Sequence, residues 1–353
     1  MKIAYLGQMA DVTGENGISK KIRAQATRWR QAGHEVRYFS LVPTTSVWPG
    51  FDVETELFAR GNLVQRVARS RQLADRIRAW RPDAIYFRYA YHSAGFPTLF
   101  REIPTVAEIN SDDLTEYPLT LSPAKVLYHR LTRARVLRTA RGFVTVTREL
   151  ATRFAGFGHP TETIANGIDL DAFTAPSAPA ADAPRRLIFV GSAGTPWHGL
   201  ERVAELATLL PGTTIDVIGC TAADLPSAPP TLRFHGALTR EAYAPLLAAA
   251  TAAIGTMGLF RKRMDEACPL KVREYLAEGF PVIGGYTDTD IPPDADYFLQ
   301  LPNNDASLAV RREKIVAWLD HWRGRRVPRA AVAHLDNGVK EARRLAFLAQ
   351  LVR

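Results

Sequence analysis

Residues 266–283 read EACPLKVREYLAEGFPVI, and the fold is decided there. Pro269 suits the first turn of a helix, because its φ is already helical and its missing N–H has no intrahelical partner to lose. Gly279 supplies a stop, and the run after Pro281 begins a short buried strand. Lys271, Glu274 and Glu278 share one face of that helix, while Val272, Leu276 and Tyr275 turn toward a core. Glu266 lies in the loop before the helix and Glu274 rides on it. The N–H groups at its start, near Cys268, Pro269 and Leu270, form an anion seat strengthened by the helix dipole.

Working outward, strand and helix patterns alternate in both directions. Residues 2–7 form an apolar run ending at a glycine, followed by a glycine-bearing loop with Gly14 and Gly17, an amphipathic stretch at 19–33 and a strand at 34–40. The same sequence of elements recurs at 186–191, 192–199, 200–210 and 215–219. Further strands are expected at 83–88, 104–110, 142–147, 232–236 and 252–256, with helices at 60–81, 123–141, 240–250, 305–322 and 330–351. This is an α/β pattern of two Rossmann-like domains. The first opening lacks G-x-G-x-x-G, which disfavours a dinucleotide oxidoreductase. Residues 174–184, rich in Ala and Pro, read as the linker, dividing a domain at 1–173 from one at 185–330, with a last helix at 331–353.

A phosphate seat, a cation in Lys271 and two carboxylates that accept hydrogen bonds from hydroxyls suit a sugar nucleotide. Two glutamates at this spacing also describe a capped surface helix. The whole string "CPLKVREYLAEGFPVIGG", with "NGIDLDAF" at 166–173, resembles the retaining GT-B glycosyltransferases of the "glycosyl transferases group 1" family, with its two-glutamate motif. The resemblance implies an α/β GT-B fold, its two domains facing across a cleft, and transfer of a sugar from a nucleotide-sugar donor to an acceptor hydroxyl with retention. It gives Glu266 the transferred sugar, Glu274 the ribose, and the helix start at Cys268, Pro269, Leu270 and Lys271 the diphosphate. Gly17 matches the glycine of the first loop, and the backbone around Gly236 is expected to meet the base. It also implies that the last helix returns to the N-terminal domain. A sugar-nucleotide-binding protein without turnover is the alternative.

The chain departs from the family at two places. The loop GSAGTPWHG at 191–199 lacks the family's arginine, and His198 stands where its lysine is expected. A protonated His198 would serve beside a diphosphate, which raises its pKa; an ordinary loop histidine is the equal alternative. Lys271 and Arg263, in the run RKR at 261–263, are other candidate cations, although that run also reads as an exposed loop. Asn110 stands near the strand end where many members carry a histidine, with Glu108 on the same strand face. Tyr89 and His92, at the end of the preceding strand, complete the acceptor-side candidates. Ser111-Asp112-Asp113 suggests helix capping rather than a metal site, and no metal or other cofactor is expected.

The 353 residues suffice for two cores, and 46% hydrophobic composition excludes a disordered chain. Two cysteines make no disulfide framework, which suits a reducing cytoplasm. The N-terminus turns polar too soon for a signal peptide, and no apolar run reaches spanning length. The net charge of +9, concentrated in arginines at 60–81 and 130–141, points to an anionic partner. No zinc-finger spacing or RNA-binding aromatic motif is present, so nucleic acid is not expected. An anionic membrane surface and plainly solvated helix faces both remain open, and a peripheral place on the inner face of the membrane follows from the first; the acceptor expected is a sugar, a lipid-linked or a small molecule.

Overall fold

The computed structural model describes residues 1–8, 17–42, 54–59 and 63–352. Gly14, Arg60 and the rest of the first loop lie outside them. The chain forms two compact units, one of 1–165 with 337–353 and the other of 166–336.

In the first unit, β1 (Lys2–Gln8), β2 (Glu35–Val42), β3 (Glu54–Ala59), β4 (Ala84–Arg88), β5 (Thr105–Ile109), β6 (Gly142–Thr145) and β7 (Thr161–Thr163) form one parallel sheet in the order β3-β2-β1-β4-β5-β6-β7. Strands buried on both faces read as apolar runs, and Ile3 to Leu6 and Ala84 to Phe87 have no exposed surface. The helices are α1 (Gly17–Gln31), α2 (Leu63–Trp80), α3 (Phe96–Glu102), α4 (Asp113–Thr120), α5 (Pro123–Leu137) and α6 (Arg148–Phe154). Gly17 is the first residue of α1 rather than a loop residue. Asp112 caps α4 by accepting the Leu114 N–H at 3.0 Å. In the core, Tyr5 stacks on Trp29 at 5.6 Å between ring centroids and meets Tyr86 edge-on at 5.4 Å.

The second unit repeats the arrangement. β8 (Arg186–Val190), β9 (Thr214–Ile218), β10 (Leu232–Phe234), β11 (Ala252–Ile254), β13 (Val282–Gly284) and β15 (Phe298–Gln300) are parallel in the order β10-β9-β8-β11-β13-β15. β12 (Glu266–Ala267) and β14 (Thr287–Asp288) pair separately. The helices are α7 (Leu200–Leu209), α8 (Arg240–Ala248), α9 (Leu270–Ala277) and α10 (Arg312–His321). Both sheets reverse direction of growth beside their first strand, at β1/β4 and β8/β11. Ligands of open α/β sheets bind outside the strand ends at such a switch point.

Two boundaries move. Residues 166–173 belong to the second unit, because Asn166 donates from Nδ2 to the Cys268 carbonyl at 2.8 Å and accepts from Arg273 Nε at 2.8 Å. Residues 174–184 also count with that unit, where the Arg323 guanidinium donates to the Ala183 carbonyl at 2.8 Å. The last helix, α11 (Asn337–Val352), belongs to the first unit and begins after a 3-10 segment at Arg329–Leu335. Its Arg344 donates to the carbonyls of Ile164 and Ala165 at 3.1 and 3.2 Å and to Glu341 at 2.6 Å.

Candidate active site

Pro269 stands at the N-cap of α9, one residue before the helix, with extended backbone (ψ 137°). Its carbonyl accepts from Val272 and Arg273, so the N–H groups of Leu270 and Lys271 find no acceptor within the helix. The seat expected at this end is therefore open. What fixes it is Arg273, fully buried, which makes a two-pronged pair with Asp288 of β14 at 2.9 and 2.7 Å and holds the Asn166 carbonyl. The Cys268 Sγ, also buried, accepts the Asn166 N–H at 3.4 Å. Asn166 and Arg273 thus clamp the start of α9 from both sides.

Lys271 points from the first turn of α9 to the end of β8, where its Nζ donates to the Val190 carbonyl at 3.0 Å and lies 4.5 Å from the Phe189 ring centroid. Among the described residues it has no carboxylate partner. Burial without a counter-charge lowers its pKa to about 7. The cation–π contact and the carbonyl hold the ammonium in place but do not neutralise it.

His198 ends a 3-10 turn at Pro196–His198. Its Nδ1 accepts the Ser192 N–H at 3.0 Å, and its carbonyl accepts the Met257 N–H at 3.1 Å. The turn then passes through Gly199 at φ 74°, where a Cβ would lie 2.6 Å from the Gly258 nitrogen. Loops after β8 and β11 are thereby joined across the switch point, and only glycine permits the approach. Burial and the nearby Lys271 and Lys262 push the His198 pKa down to about 2. The expected cation is a neutral ring here, accepting at Nδ1 and donating from Nε2. A concavity of about 180 Å³ lies beside it, lined by Ser192, Gly194, Thr195, Cys220 and Asp224 among others.

Arg263 does not join this group. It is exposed in a left-handed conformation (φ 51°) closing the 3-10 turn Leu259–Lys262. Its neighbour Arg261 is engaged by the Pro196 carbonyl at 2.7 Å and by Glu201, and Lys262 is buried over the Trp197 ring at 4.6 Å. Glu266 sits half-buried in β12 and Glu274 half-buried on α9. Glu278 is buried and held by Arg240. Gly236 is left-handed at φ 65°, and its carbonyl accepts the Gly219 N–H at 2.6 Å, presenting the backbone beyond β10.

Residues 16–172 match the model of Glycosyltransferase Family 4. Sucrose-phosphate synthase from Thermosynechococcus elongatus superposes with a TM-score of 0.70 at 17% identity, covering 99% of this chain and 98% of that one. HepE from Anabaena, solved in complex with UDP-glucose, gives 0.67 at 15% identity, covering 99% of this chain and all (100%) of its own. WaaG, a glycosyltransferase involved in lipopolysaccharide biosynthesis, gives 0.64 at 13%, with 98% of each chain covered. No curated protein matches in sequence. At such identities the structural likeness is one of fold, and that fold is GT-B.

Residues 16–172 are similar to Glycosyltransferase Family 4, and the chain as a whole has the GT-B fold.

In the first unit, the acceptor-side candidates fall into separate places. Glu108 is fully buried and surrounded by donors: Lys21 Nζ at 2.9 Å, Tyr86 Oη at 3.0 Å, Asn110 Nδ2 at 3.1 Å and Arg88 Nη1 at 3.3 Å, with Arg344 Nε at 3.7 Å. Burial alone would raise its pKa, but Lys21, Arg344 and Arg88 together hold it well below the carboxylate range. It is a structural anion and no proton acceptor. Asn110 accepts from Lys21 at 3.0 Å. Lys21, lowered to about 8 by burial against the pull of Glu108, went unread in the sequence, where "SKKI" reads as a solvated turn of helix. Tyr89 donates to the buried Asp113 at 2.9 Å, which His129 and Arg133 also hold, at 2.5 and 2.7 Å. His92 shares a 2.8 Å hydrogen bond with Tyr128 on α5, away from Glu108's cluster of partners. Among the described residues no three acidic, His or Cys side chains gather to hold a metal, and no helix is long and apolar enough to cross a membrane.

Proposed function

We propose that this chain is a glycosyltransferase that moves a sugar from a UDP-sugar to an acceptor hydroxyl with retention at the anomeric carbon, the donor being held by the second unit. The observation that carries the reading is the head of α9, where two unused N–H groups and the uncompensated Lys271 ammonium wait for an anion. Charge grows on the diphosphate as the glycosyl bond breaks, so a fixed cation there lowers the barrier more than it tightens the ground state. Glu274 takes the ribose hydroxyls, Glu266 the transferred sugar, and the backbone at Gly236 the base. Uridine is favoured because HepE, of the same fold, is solved with UDP-glucose and with UDP. No covalent nucleophile is assigned: the departing phosphate accepts the proton of the incoming hydroxyl, and no resident metal is invoked. A cytoplasmic place, peripheral at an anionic membrane face, completes the proposal, and nucleic acid is no partner.

The experiment is release of the nucleoside diphosphate from UDP-, GDP- and ADP-glucose, with the anomeric proton of the product read by NMR. UDP release and a product of unchanged anomeric configuration are expected; an inverted product would remove retention. The neutral His198 and the exposed Arg263 favour a second reading, sugar-nucleotide binding without turnover. Tight UDP-glucose binding with no UDP release across a panel of sugar, lipid-linked and water acceptors would establish it.

A further inference from the structure

The basic helices of the first unit divide into paired and unpaired cations. Arg76 is held by Glu56, Arg78 by Asp75 and Glu102, and Arg133 by Asp113. Arg66 on α2 and Lys125 and Arg135 on α5 have no carboxylate partner among the described residues. Between α2, the loop after β4 and α5 lies a cleft of about 330 Å³, within the range of about 300–1,000 Å³ common for small-molecule sites. Arg66 and Val67 line it from α2, His92 and Ala94 from the loop, and Lys125 and Tyr128 from α5; its wall is mostly apolar. The 2.8 Å bond between His92 and Tyr128 satisfies both polar tips within the wall. Burial, with Arg135 and Arg66 nearby, lowers the His92 pKa, which favours its neutral form. On the same two helices Val64 is 79%, Leu127 59% and Leu131 69% exposed, apolar surface left uncovered.

We propose that this cleft seats the hydrocarbon chain of a phosphorylated lipid acceptor, with its phosphate monoester against Arg66 and Lys125. Two uncompensated cations match the charge of about −1.5 to −2 that a phosphate monoester carries at pH 7, and the arginine fork fits its oxygens. The apolar wall between them accounts for a chain, and a slot of this size admits one chain, whereas attachment to a bilayer surface needs no cavity. The ligand's role as acceptor rests on the glycosyl-transfer reading; its binding does not.

The test is calorimetric titration of the full chain, without nucleotide, with inorganic phosphate and with hexyl and octyl phosphate. Each buried methylene raises affinity about fourfold, so octyl phosphate binds at least tenfold more tightly than hexyl phosphate, and inorganic phosphate binds weakest. Ala124→Trp, at an exposed position lining the slot, removes the chain-length gain and leaves inorganic phosphate unchanged. Val67→Trp repeats the obstruction from α2, should the first variant fail to fold. Arg66→Ala weakens all three phosphates about tenfold. A wild-type protein without chain-length gain, or filled-slot variants that retain it, would overturn the proposal, as would binding to anionic vesicles with none to octyl phosphate. Octyl phosphate binding in a protein that ignores UDP-sugars would leave the slot standing and remove the transferase reading.

Discussion

Glu108 in the first unit is fully buried and Lys271 in the second is half-buried, and their surroundings are opposite. Glu108 meets three cations and further neutral donors, so its charge is more than answered from within the protein. Lys271 meets a carbonyl and a ring, and its charge is answered by nothing among the described residues. A buried ion costs several kcal/mol unless it is compensated. Where the protein supplies the compensation, the group is structure. Where it does not, an anion from outside is the natural complement. On that contrast the acceptor-side candidate Glu108 belongs to the structure, and the proposed donor site rests on Lys271.

The largest effect expected tests the first half. Glu108→Gln leaves Lys21, Arg88 and Arg344 buried together, which should cost about 3–5 kcal/mol in urea unfolding. A loss below about 1 kcal/mol would show that the cluster is solvated and the contrast unreal.

Lys271→Met tests the second half. Turnover should fall about 10²–10³-fold, equivalent to about 2.7–4 kcal/mol, with no loss of stability, since a cation without a partner is removed. The sign with pH follows from its folded pKa of about 7, below the usual value of 10.5. The unfolded chain binds more protons between these two, so the folding penalty is complete below pH 7 and disappears as pH rises to about 10.5. Bound diphosphate restores the proton. UDP affinity should therefore fall above pH 7, by up to about tenfold per pH unit, in the parent protein and not in Lys271→Met. A parallel decline in both would place the titrating group elsewhere. Cys220, whose thiol is raised by burial, is the neighbour to exchange next.

Glu274→Ala should weaken UDP binding by about 1.5–3 kcal/mol, the range for a hydrogen bond to a charged group, and change kcat little. Undiminished UDP affinity in a titration would end the ribose assignment.

The smallest effect belongs to His198. Because Nδ1 accepts the Ser192 N–H, alanine removes one loop hydrogen bond, worth about 0.5–1.5 kcal/mol of folding stability in urea unfolding, and turnover should change little. Lysine at this position cannot accept that N–H and should do no better than alanine. Full rescue by His198→Lys would return the residue to the role of leaving-group cation.

Much of this architecture is legible in the sequence because parallel strands buried on both faces are continuous apolar runs, and α9 announces itself by Pro269, its one-sided charges and Gly279. The less regular elements were not legible. α4 carries Pro118 in its interior and α3 is only seven residues long, too short for a period to register. Nor could periodicity find Arg273 or Arg344: both read as solvated helix positions, yet each is wholly buried by partners distant in the chain, Asp288 and Asn166 for one, Glu108 and Ile164 for the other. The neutral state of His198 was beyond the sequence for the same reason, since burial and the nearby Lys271 and Lys262 decide it.

The return of α11 to the first unit also sets an order of assembly. A chain emerging from the ribosome exposes its N-terminal segments first, and domains ordinarily close in that order. Here Trp29 donates to Glu341 at 2.9 Å, and the Arg344 guanidinium reaches Glu108, so the interior of the first unit lacks two charges and a helix until Asn337–Val352 is made. The second unit, continuous from 166 to 336, is complete earlier. The part of the chain made first is thus the part finished last, and for most of synthesis its half-built core depends on not finding another partner.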